Sequence, residues 1–242
     1  TKMLQENLNS NQFDQALELL KSGEKLQKNL EDFKKNQIFD KLLREKQFEI
    51  LLHFCKDKTI ETDIYKLDNF DRSIFQSIVY HLPKDEDSVA FFQDFISKFD
   101  NLNDEAAEKT LLGFFLEKGI GIDFIKVLVE KGCDVNYQNN AEQNFLHQVI
   151  KTNLNKPELS LSYLEFLISE GLDVNHQDVV KKTPLITAID FNRKEYIDLL
   201  LQNGADPNHL DKDENSAFFY ATAHKLDFDL YKQLCDFATP DL

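Results

Sequence analysis

A chain of 242 residues, 42% hydrophobic and 29% charged, has the balance of a folded globular protein and excludes wholesale disorder. With 43 Asp and Glu against 28 Lys and Arg, its net charge is −15. That argues against the basic surface needed to bind nucleic acid, and no apolar run approaches the roughly 20 residues of a membrane span.

From the N-terminus, residues 11–23 place Ala16, Leu17, Leu19 and Leu20 at helical spacing ahead of Gly23. They read as the second helix of a pair without a good first one. Residues 24–35 are polar and tolerate a helix, residues 36–43 and 48–55 form the next pair, and 61–67 is a connector. Ser73 stands at a capping place, and a helix over 74–81 ends before Pro83. The acidic stretch 84–87 reads as a solvated loop. It leads into a helix over 89–99, on which Phe91, Phe92, Phe95, Ile96 and Phe99 share one face. Phe is a core filler, so most of the 21 Phe residues are expected between helices.

Thr110 opens a further pair whose second helix is 124–129. The unit from 144 to 175 supplies another, with a second helix over 161–168. Residues 182–208 form the most complete unit, and 216–234 the last, with Leu230, Leu234 and Phe237 on its apolar side. In the complete unit Pro184 pre-sets φ in the first turn and Thr183 can cap it. Ile197, Leu200 and Leu201 form a stripe that only a neighbouring unit can bury. Gly204 can take the left-handed conformation that ends the second helix, and Asp206 and Asn208 suit the turn beyond.

The pattern G-x-D-[VP]-N occurs at 132–136, 171–175 and 204–208, and Thr183 and Ala188 find partners in Ser216 and Ala221 at the same 33-residue step. The spacing between the first two copies is 39 residues, which places six extra residues in 152–158. These motifs resemble the ankyrin repeat family, whose T-P-L-H-x-A signature precedes a second helix and G-A-D-V-N. Thr183-Pro184-Leu185 matches best, with Ile186 in place of the His. In Asn144-Phe145-Leu146-His147 only Leu146 and His147 match. The resemblance is clear over 109–242 and degenerate over 1–108. It implies an all-α ankyrin-repeat solenoid of about seven stacked helix-turn-helix units with short β-turn fingers, a single domain over 1–242.

No GxGxxG, P-loop, HExxH or GxSxG motif is present, so no catalytic residue, cofactor or metal is expected. Cys55, Cys133 and Cys235 are odd in number and widely spaced, which excludes a disulfide framework and a CxxC metal site. They read as buried small hydrophobes in a reducing cytoplasm. The resemblance gives His147 a structural role, tying neighbouring loops. His176 and His209 fall 33 residues apart at adjacent tips. A metal there would need Asp178 or Asp211 as well, and solvated loop histidines are the preferred reading.

The family's binding surface, loop tips plus the exposed side of the first helices, implies partner contacts at Tyr137, Asn139, Asn140, His176, Asp178, Val179, His209, Asp211, Lys212 and Asp213. Asp190, Phe191 and His224 lie deeper in the groove, and Val180 is a further apolar tip residue. The expected function is a monomeric, cytoplasmic, non-catalytic scaffold for another protein. The acidity suggests an inhibitor or immunity-type protein with a basic partner. On this reading, Asp211 and Asp213 can be replaced by Lys without loss of stability. The alternative is an enzymatic or small-molecule function hidden in 1–108, marked by a pocket near Tyr80, His81 and Asp87.

Overall fold

The computed structural model describes residues 2–63, 70–152, 155–223 and 228–238. Among them are fourteen α-helices and no strand. None of these helices is long and apolar enough to cross a membrane. The chain divides into two compact units, Thr1–Cys133 and Asp134–Leu242.

In the first unit, α1 (Lys2–Asn9), α3 (Asp32–Arg44), α5 (Ile74–His81) and α7 (Leu111–Lys118) are first helices. They alternate with the second helices α2 (Phe13–Lys21), α4 (Phe48–Lys56), α6 (Glu86–Ile96) and α8 (Ile122–Glu130). First helix α3 packs on α5, while α2, α4, α6 and α8 pack in sequence as a second layer. The helix α1 supplies the first member that residues 11–23 were expected to lack. It escapes notice because its apolar content is small, yet Leu4 and Leu8, at i and i+4, are both buried. The helix α3 starts before residue 36, because 32–35 join it as its first turn.

Residues 84–87 are not a free acidic loop. Asp85 caps α6 by accepting from the Ser88 N–H at 2.9 Å, and Glu86 and Asp87 occupy the first turn, where the helix dipole favours negative charge. Lys46 bridges Asp85 and Asp87 at 2.9 and 3.2 Å. The Lys46 hydrogen bond, with that from Ser88, holds the Asp85 carboxyl down to about 2.

The core of this unit is aromatic, as the Phe content implies. Phe75 lies 5.2 Å from Phe99, 5.9 Å from Phe115 and 6.1 Å from Phe95, and Phe92 lies 5.3 Å from Phe124, mostly in edge-on geometry.

In the second unit, α9 (Phe145–Lys151), α11 (Pro184–Asp190) and α13 (Ala217–Ala223) form the first layer. Behind them lie α10 (Pro157–Ser169), α12 (Lys194–Gln202) and α14 (Phe228–Phe237). The six-residue insertion is not confined to 152–158. The helix α10 has 13 residues against 9 in α12, so four of the extra residues lengthen a helix by about one turn. Leu230 and Leu234 are buried, but Phe237 is 41% exposed, which corrects its assignment to the apolar side. Cys55 and Cys133 are buried as expected, whereas Cys235 is exposed.

The recurring motif works through its hydrogen bonds. Gly132, Gly171 and Gly204 have φ of 110°, 96° and 94°, a conformation that ends each second helix. In each copy the Asp side chain then accepts from the N–H two residues on, at 2.8, 2.9 and 2.9 Å for Asp134, Asp173 and Asp206. Asn175 joins one repeat to the next by donating to Gly204 O at 2.9 Å and accepting from Asp206 N–H at 2.8 Å.

The first unit holds a copy that the sequence conceals. Asn103 donates to Gly132 O at 3.0 Å, across the same 29-residue interval, and Leu102 is as buried as Val174. Without the Gly and with Asn101 in place of Asp, the pattern was unreadable.

Candidate functional site

The fingers that precede α11 and α13 are built alike, and the finger before α9 follows them. Asn139, Asp178 and Asp211 occupy one place in three successive fingers. Each accepts through Oδ1 from the N–H two residues on and from the N–H four residues on, at 2.9–3.0 Å. Each N–H also bonds the carbonyl four residues on: Asn139 to Gln143, Asp178 to Lys182 and Asp211 to Asn215. Glu142, Lys181 and Glu214 take positive φ of 57°, 59° and 63° to close the turns.

These three polar residues therefore face their own loop and not the solvent. Asp178 is only 7% exposed and Asp211 4%, which corrects their expected outward placement. Asp211 also accepts from the Tyr220 hydroxyl. Burial pushes its carboxyl up, but the hydrogen bonds from Tyr220, Asn215 and Asp213 outweigh it and hold it below the usual carboxylate range. Tyr220 is pushed the other way by burial and by that carboxylate.

Consecutive fingers are laced together. The Val179 N–H donates to Ala141 O and the Lys212 N–H to Val180 O, both at 2.9 Å. His176 Nε2 bonds Glu142 O at 2.7 Å and His209 Nε2 bonds Lys181 O at 2.8 Å. Both histidines are thus brackets between fingers. The ring nearest His176 is that of His147, 5.9 Å away.

No group of three His, Cys, Asp or Glu able to hold a metal is found among the described residues. His147 is fully buried, with Nε2 2.8 Å from Lys182 O and Nδ1 3.0 Å from Asn144 Oδ1. Burial holds its pKa down to about 4, so the ring is a neutral tie between units.

With the polar residues so committed, apolar side chains are left outside. Val179 is 55% exposed and Val180 38% at one tip, and Phe191 is 43% exposed at the end of α11, with Lys151 Nζ 5.3 Å from its ring centroid. Asn140, Lys212 and Asp213 are exposed, and Tyr137 is half-buried with its ring 5.8 Å from Phe145. Asp190 is half-buried and pairs with Lys182 at 3.1 Å. His224 lies outside the described residues.

Leu210 and Phe219, each 50% exposed, complete the apolar set and were not foreseen. The signal for Leu210 was available, since the same place in the two preceding fingers carries Gln138 and Gln177. Phe219 sits where Ile186 and His147 are fully buried.

In the first unit, Tyr80 is 65% exposed, Asp87 points to Lys46, and His81 lies 3.2 Å from Arg44 and 3.4 Å from Asp40.

The family profile described as ankyrin repeats, in three copies, matches residues 117–211 and 155–241. A search of curated protein sequences gave no significant match.

Proposed function

The chain belongs to the ankyrin-repeat family, and from that premise we propose a non-catalytic scaffold that binds a partner protein through the finger tips and first-helix layer of its second unit. We extend the repeat reading to the whole of residues 1–242.

The observation that carries the proposal is the division of labour within the fingers. Asn139, Asp178 and Asp211 set the turn, while the apolar side chains of Val179 and Leu210, and of Phe191 at the end of α11, remain exposed. Exposed apolar side chains on rigid, hydrogen-bonded loops are the common anchors of protein interfaces. The contact surface comprises these residues with Tyr137, Asn140, His176, Asp190, His209, Lys212 and Asp213 around them.

The finer reading is an acidic, monomeric, cytoplasmic inhibitor that engages a basic partner. Its support is the net charge of −15 and the distribution of that charge in this unit. The second helices α10, α12 and α14 carry two Lys/Arg against six Asp/Glu, so at low ionic strength, about 0.01 M with a Debye length of ~30 Å, their field reaches a cationic protein.

A pull-down comparing the wild type with Val179→Asp/Phe191→Ala at low and high salt tests both levels. A protein retained by the wild type and lost by the double variant, at unchanged melting temperature, supports the surface. Equal retention removes it. An acidic retained protein, or retention indifferent to salt, overturns the basic-partner reading.

A further inference from the structure

A cleft lies in the first unit, between α1 and α3, with a volume of about 650 Å³. Its lining runs against the charge of the molecule. Lys34, Lys41 and Arg44 project into it from α3, joined by the amides of Gln37 on α3 and of Gln5 and Asn9 on α1. The one carboxylate in the lining is Asp40, against three cations. Its Oδ1 is buried and its Oδ2 lies 3.4 Å from His81 Nε2.

The contrast extends through the unit. First helices α1, α3, α5 and α7 carry six Lys/Arg against four Asp/Glu, while second helices α2, α4, α6 and α8 carry three against eight. Acidity is a property of the outer layer and not of the cleft.

We infer that this cleft binds an acidic peptide segment of another protein. Two observations select a peptide. The cations at positions 34, 41 and 44 form a row along α3 that is about 15 Å long at 1.5 Å per residue. A single small anion cannot span that row, but four or five residues of extended chain, at about 3.3 Å each, can. The Gln and Asn amides supply both donors and acceptors, which a peptide backbone needs and a phosphate does not.

The cations also keep capacity. Lys41 holds the end of α1 through Leu8 O and Asn9 O at 3.4 and 2.8 Å, and Arg44 spends one contact on His81 Nδ1 at 3.2 Å, leaving most of its guanidinium donors. Lys34 is exposed. The outer-layer carboxylates do not cancel this attraction, because a Debye length of about 8 Å in physiological salt is shorter than the ~10 Å width of a helix. An extended polyanion such as a nucleic acid leaves the cleft and meets the net negative charge of the rest of the chain. The inference is independent of the partner surface proposed for the second unit.

Fluorescence anisotropy with a labelled oligoglutamate peptide tests it in the full chain. Lys34→Glu is expected to weaken binding about tenfold relative to Lys28→Glu, an exposed lysine outside the lining whose reversal changes net charge equally. Gln37→Lys, which adds a cation within the row, is expected to tighten it.

Equal affinity in Lys34→Glu and Lys28→Glu overturns the inference. So does an oligonucleotide that binds as tightly as the peptide, or inorganic phosphate that displaces it at comparable concentration. Peptide binding should survive Val179→Asp/Phe191→Ala, so loss of the second-unit surface and loss of the cleft are read separately.

Discussion

Asp211 accepts from two loop N–H groups and from the Tyr220 hydroxyl while almost wholly buried. Asp211→Ala strands those donors, and its expected cost is about 1–3 kcal/mol in urea unfolding. Asp213 is exposed, and Asp213→Lys should cost next to nothing. The paired Lys replacement is therefore destabilising through Asp211 alone, contrary to the expectation from sequence. Because the folded Asp211 carboxyl titrates below its ordinary value, its contribution is full above the unfolded pKa of about 4 and disappears as pH falls through the folded value. The stability gap between wild type and Asp211→Asn should accordingly narrow below about pH 4. A gap that is constant down to acid denaturation would mean that the charge on Asp211 contributes nothing to it. The cysteines give a second residue-scale expectation. Burial pushes Cys55 and Cys133 up to about 12, while Cys235 is exposed, so one thiol of the three should react quickly with a disulfide reagent in the native state.

At the scale of elements, α12 shows what holds the second unit together. Tyr196, Ile197, Leu200 and Leu201 are all buried, and Leu200 is completely so. Leu200→Ala should cost about 2–5 kcal/mol in a denaturant titration, since α10 and α11 on either side can relax only partly into the gap. A loss below 1 kcal/mol would place the load of the unit elsewhere. The sequence revealed elements wherever local chemistry was strict: Gly171 and Gly204 need left-handed backbone, Thr183 and Ser73 must cap, and the helix over 74–81 falls where expected. It hid elements whose signal is tertiary. The helix α1 is recognised by the burial of Leu4 and Leu8, and the worn copy at Asn101 to Asn103 by a hydrogen bond. The extra turn of α10 is invisible to motif spacing, which counts residues without saying where they coil. The same limit applied to the site. Register placed Asp178 and Asp211 on the fingers, but only three-dimensional hydrogen bonding shows that they face inward, leaving Val179 and Leu210 outside.

For the molecule as a whole, the question is whether fifteen excess negative charges help or hinder folding. The ion pairs that favour the folded state are all partly exposed: Lys46 with Asp85 and Asp87, Lys118 with Asp71, Lys109 with Glu117, and Lys182 with Asp190. Pairs of this kind contribute roughly 0–1 kcal/mol each. Against them stands mutual repulsion among the carboxylates. At low ionic strength, about 0.01 M, the Debye length is ~30 Å, so repulsion reaches far across a unit while each pair acts over only a few ångströms. Repulsion among many distant charges is thus screened by modest salt, whereas contacts near 3 Å resist it. The melting temperature should therefore rise by a few degrees between about 0.01 and 0.3 M NaCl, as it would for a chain destabilised by its own charge. Sodium sulfate at matched ionic strength separates screening from the general strengthening of apolar burial by kosmotropic salts. A melting temperature that falls as chloride rises would mean that local pairs dominate, and that the outer-layer acidity is not a cost to the fold.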